Sequence, residues 1–63
     1  MIVYRKAMAA DTSRDFVRED GEKWVEIFRT PAAALPAHLL NENPDLMVEN
    51  VDGRRYRVRR VGT

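Results

Sequence analysis

The dipeptide Asp-Gly occurs twice, at Asp20-Gly21 and Asp52-Gly53, each time between stretches with strand character. Asp-Gly favours the left-handed backbone of a tight hairpin connection. Two hairpins take up about half of a 63-residue chain. Such a length allows one small domain, residues 1–63, burying only about 60% of the surface its unfolded form exposes.

Charge and face matching set the expected registers. At Asp20-Gly21 a two-residue loop pairs Glu19 with Glu22, Arg18 with Lys23 and Asp15 with Glu26. Three like-charge pairs oppose that register. A three-residue loop, Glu19-Asp20-Gly21, has Gly21 in the left-handed position of a bulge. It pairs Arg18 with Glu22, Phe16 with Trp24 and Arg14 with Glu26. It predicts strands over about 14–18 and 22–29. A helix from Thr12 to Asp20, stopped by Gly21, competes, but it buries only Phe16 and Val17. At Asp52-Gly53 the three-residue loop Val51-Asp52-Gly53 pairs Val48 with Tyr56 and Leu46 with Val58 on an apolar face. It sets Glu49, Met47 and Asp45 against Arg55, Arg57 and Arg59 on the other.

The remaining segments complete the fold. Ile2, Val3 and Tyr4 have high strand propensity and predict a strand over about 2–8. Ala9 to Ser13 reads as a loop. In Lys23–Arg29, Trp24 and Phe28 point one way and Val25 and Ile27 the other, which suits an interior strand covered on both sides. Thr30 caps and Pro31 opens a helical segment that Pro36 interrupts, so one turn near 31–34 and a short helix near 36–42 are expected. Leu35, Leu39 and Leu40 then pack on the sheet. The fold class is α+β: a small antiparallel sheet of two bulged hairpins plus an N-terminal strand, order β-β-β-α-β-β, with one short proline-broken helix.

Composition narrows the chemistry. The chain has no cysteine and a single histidine, His38. No disulfide, thiol nucleophile, thiolate metal site or paired-histidine site follows from it. No apolar run reaches the roughly 18–20 residues that span a bilayer, and the N-terminus lacks the order of a secretory signal. No glycine-rich phosphate loop is present. A cytoplasmic, non-enzymatic protein without cofactor or metal is expected.

The net charge of +1 conceals a division. Residues 1–52 carry −4, while residues 53–63 hold five arginines and no acid. In the expected register Asp45 and Glu49 partly neutralise Arg59 and Arg55. Arg54, Arg57 and Arg60 remain for a partner, with Tyr56 beside them. One short helix covers one face of the sheet, so Tyr4, Val25 and Ile27 are candidates for an uncovered contact surface. Acidic residues Asp11, Asp15, Glu19, Asp20, Glu22 and Glu26 line the first hairpin.

In size, in its lack of catalytic equipment and in this economy of surface, the chain resembles small accessory proteins of phages and mobile elements, a class that includes anti-CRISPR inhibitors. The likeness is one of type and covers no motif. It implies a protein-binding module that regulates or inhibits a host or cognate protein complex. The alternative is a nucleic-acid binder using the Arg-rich C-terminal hairpin, with Tyr56 stacking on a base. Homodimerisation is a further way for so small a core to gain burial.

Overall fold

The expected order β-β-β-α-β-β is the order observed in the computed structural model, which describes residues 1–12 and 14–61. Ser13, part of the expected loop, and Gly62 and Thr63 lie outside them. The elements are β1 (Ile2–Lys6), β2 (Phe16–Glu19), β3 (Glu22–Arg29), α1 (Ala37–Glu42), β4 (Asp45–Glu49) and β5 (Arg55–Arg59). They form one antiparallel sheet in the order β2-β3-β1-β4-β5. β1 therefore lies between the two hairpins. Its neighbours Val3 and Tyr4, on opposite faces, are 0% and 5% exposed, so both sides of this strand are covered. β3 is interior too, as its two apolar faces predict, but the middle place belongs to β1.

The second hairpin has the expected register throughout, from Asp45 opposite Arg59 to Glu49 opposite Arg55. Gly53 adopts φ +81°. Asn50 organises the loop: its Oδ1 accepts from the N–H groups of Asp52 and Arg54, both at 3.0 Å.

The first hairpin does not have the expected register. Its loop is the two-residue Asp20-Gly21, and Glu19 opposes Glu22, Arg18 opposes Lys23 and Phe16 opposes Val25. Asp20 and Gly21 have φ of +53° and +78°, the doubly left-handed turn whose twist matches that of the strands. The acidic pair finds relief outside the hairpin and the basic pair within it. Lys6 Nζ lies 3.2 Å from Glu22 and Arg55 lies 3.1 Å from Glu19. Lys23 and Arg18 stand over the Phe16 ring, at 4.2 and 5.5 Å from its centre. Val17, not Phe16, packs with Trp24.

Some bounds differ from expectation, and β2 begins at Phe16 and not near Arg14. β1 ends at Lys6 because the chain turns away after Ala7. Asp11 holds that turn by accepting from Met8 N–H at 2.5 Å and from both arms of Arg5 at 2.9 and 2.8 Å. Residues 31–33 form a bend and no helical turn, with Thr30 Oγ1 accepting from Ala32 N–H at 3.2 Å. Pro36 is extended and α1 begins after it. Asn43 closes the helix, its backbone N–H donating to Leu39 C=O at 2.9 Å.

Apolar side chains gather on both faces. On the helix side, Met1, Val3, Leu39, Leu46 and Val48 form a core joined by Ile27, Phe28, Leu35, Leu40 and Val58. On the other side, Tyr4, Trp24 and Met47 form a second core with Ile2 and Val17. The expectation that Phe28 shares the face of Trp24 fails at a bulge. Val3 opposes Phe28 while Tyr4 opposes Glu26, so Ile27 is the extra residue and the alternation slips. No helix among the described residues is long and apolar enough to cross a membrane.

The two glycines carry the turns by backbone conformation alone, because a Cβ at either would meet open space. Gly21→Ala and Gly53→Ala should each cost about 1–2 kcal/mol of stability, measured as a lower urea midpoint. Each spectrum of backbone amides should otherwise stay native.

Candidate protein-binding surface

The face without a helix is closed by charged side chains. Glu19 ends β2 at the Asp20-Gly21 turn, while Arg55 begins β5 at the other end of the sheet, on the opposite edge. Their contact at 3.1 Å brings two diagonal corners together. The right-handed twist of the sheet does this, and makes this face concave. In the hollow lie Tyr4, Trp24 and Met47. The guanidinium carbon of Arg57 stands 4.5 Å from the Trp24 ring centre, with Lys6 Nζ at 5.8 Å, and Arg55 is 5.9 Å from the Tyr4 ring centre. Cations over aromatic faces gain from the ring quadrupole while their stems exclude water.

Carboxylates hold this cover in place. Arg57 donates to both oxygens of Asp45, the Nε bond measuring 3.1 Å. Arg55 donates to Glu49 at 2.8 Å and to Glu19 at 3.1 Å. The hydrogen bond from Arg57 holds the Asp45 carboxyl below its ordinary range, despite some desolvation. The bond from Arg5, aided by Met8 N–H, does the same to Asp11. Burial, with Glu49 nearby, pushes the Tyr4 hydroxyl up. Trp24 Nε1 is buried without a hydrogen-bond acceptor among the described residues.

The candidate contact residues therefore separate. Tyr4 and Val25, at 5% and 9% exposure, are buried, and Ile27 packs against the helix-side core. They are little exposed because charged side chains cover much of one face and α1 with its flanking chain covers the other, though Tyr4 and Val25 border an open depression with Phe16, Val17 and Arg29. Arg57, expected to be available, is engaged by Asp45 and Trp24. Arg60 donates to Asn41 C=O at 3.0 Å. Arg54 stays exposed at the loop, and Tyr56 is 49% exposed on the helix side. Of the acids on the first hairpin and the loop before it, Asp11, Glu19, Glu22 and Glu26 pair with Arg5, Arg55, Lys6 and Arg29. His38 is exposed on α1.

The structure also assembles a patch that the sequence reading missed. Tyr56 borders a shallow depression of about 110 Å³ with Met1, Ala32, Ala33, Asn50 and Val51. Val51 is 83% exposed at the hairpin tip, and Ala32 and Ala33 are exposed in the bend. Its one sequence signal was the β-branched Val51 inside a three-residue loop, a place where polar residues prevail. Ala32 and Ala33 gave none, since a helical turn was expected there. Comparisons with protein-family models, with curated proteins and with solved structures find no match for this chain.

Two measurements probe the concave face. Arg57→Ala should expose Trp24, shifting its emission to longer wavelength and lowering stability by about 1–2 kcal/mol; Arg57→Lys should restore only part, because the two-armed bond to Asp45 is lost. Acid should weaken the same contact. A carboxyl whose pKa is depressed by folding contributes stability above its unfolded value, 3.8 for Asp, and loses it as pH falls through the folded one. The gap in urea midpoint between the native chain and Asp45→Asn should therefore narrow steadily below about pH 4.

Proposed function

We propose that this chain is a small non-enzymatic protein-binding module that regulates or inhibits a partner complex by covering part of its surface, in the manner of phage and mobile-element accessory proteins. The observation that carries the reading is the exposed apolar patch of Val51, Tyr56, Ala32 and Ala33 beside Arg54. Apolar side chains held at a loop tip gain nothing for the monomer and suit a partner's surface. The engagement of Arg55 and Arg57 by carboxylates also favours a protein partner over phosphate, because it takes two of the five C-terminal guanidinium groups out of reach. Selective docking fits such a surface of mixed charge.

Capture from a lysate of the native cells, with native and altered protein side by side, tests this. A partner retained by the native chain should drop by about tenfold or more with Val51→Asp and Tyr56→Ala. Equal recovery with both variants would remove the patch from the reading. Retention on immobilised nucleic acid at low salt, lost steadily as salt rises, would support the nucleic-acid alternative instead.

A further inference from the structure

Among the described residues, the outer edge of β5 is open. Asn50 N–H donates to Arg54 C=O and Arg60 N–H to Pro44 C=O, both at 2.9 Å. Hydrogen-bonded pairs alternate along an antiparallel ladder, so Tyr56 and Val58 also turn their backbone groups to β4. Arg55, Arg57 and Arg59 turn theirs away from the sheet. The strand is regular over its five residues, without proline, glycine or a bulge against β4, and four of the five are exposed. An edge of this kind is a template for another strand, and charge is its main protection.

Charge also selects the occupant. Residues 54–60 contain five arginines and no acid. A second copy pairing through its own β5 would set arginine against arginine, which opposes self-association. An added strand with acids at alternate positions meets the opposite condition. Its acids fall on the concave side, where Arg59 meets them, while Arg55 and Arg57 already hold Glu19, Glu49 and Asp45. Arg59 is the most available, with a side chain 74% exposed and 4.0 Å from Asp45. The residues between the acids fall beside Tyr56 and Val58, where apolar side chains fit. We infer that the free edge of β5 takes up an extended segment of a partner protein, acidic and apolar residues alternating, as a sixth strand of the sheet. This inference rests on the protein-binding reading and gives it a partner chemistry.

The probe is a soluble synthetic peptide alternating Glu with Val, set against a Lys-Val peptide and one of the same composition with its glutamates in a block. Amide exchange and amide spectra report on the native chain. The alternating acidic peptide should slow exchange at Arg55, Arg57 and Arg59 by about tenfold, and the block and lysine peptides should not. Arg59→Pro removes an outward N–H while leaving the bonds to β4, and Val58 before it is already extended. It should weaken the peptide by about tenfold with the remaining amide spectrum unchanged, and Arg59→Gln should weaken it by less.

Absence of protection at the three arginines overturns the inference, as does equal binding of the block peptide. It also falls if short oligo(dT) binds this edge and the acidic peptide does not, or if protection grows with protein concentration alone. A partner captured by Arg59→Pro but lost with Val51→Asp overturns the edge and leaves the patch standing. Peptide addition at the edge supports the edge even where no partner is captured through the patch.

Discussion

Trp24 lies beneath the guanidinium of Arg57, which Asp45 grips with both carboxylate oxygens. Much of the structure depends on that arrangement. A five-stranded sheet with one six-residue helix has a second face and no second layer to cover it. Twist makes the face concave, and long cationic side chains with acids at their heads close what remains. The largest side chain in the protein is thereby 1% exposed without a second helix. The arginine-rich strand thus serves the stability of the fold before it serves any partner. Individually such surface pairs contribute little. Their effect comes from the apolar stems and planar heads laid over two aromatic rings.

The sequence revealed the fold where the deciding contacts were local. The β4–β5 register follows from residues on those two strands alone, and the loop glycine and Asn50 agree with it. The helix boundary followed from Pro36 and the helical leucines from their spacing. The first hairpin misled because its charges are answered from elsewhere. Lys6 on β1 and Arg55 on β5 relieve Glu22 and Glu19, and no inspection of residues 14–29 could show that. The bulge at Ile27 was hidden for a related reason, since it is a property of β1 against β3. The burial of Tyr4 and Val25 depended on closure of the concave face, and that depended on sheet order. Of the candidate residues, Arg54 and Tyr56 are exposed on a hairpin whose register was legible.

The features proposed to meet a partner fall on the second hairpin. Its tip presents Val51, its helix-side surface presents Tyr56, and its outer strand leaves three arginine backbones unpaired within the sheet. The first hairpin, by contrast, has spent most of its acids on contacts within the protein. The two Asp-Gly turns therefore end up with different duties. One matches strand twist tightly with two residues, and the other carries an extra residue that displays an apolar side chain.

The central place of β1 has a consequence for the order of assembly. Each hairpin closes over a few intervening residues, so its contacts are inexpensive in chain entropy. The strand that joins them pairs Ile2 with Glu49, far along the chain. Closing this long loop costs more chain entropy than closing either turn. The concave face, whose arginines reach across all five strands, comes into being only when that strand is seated.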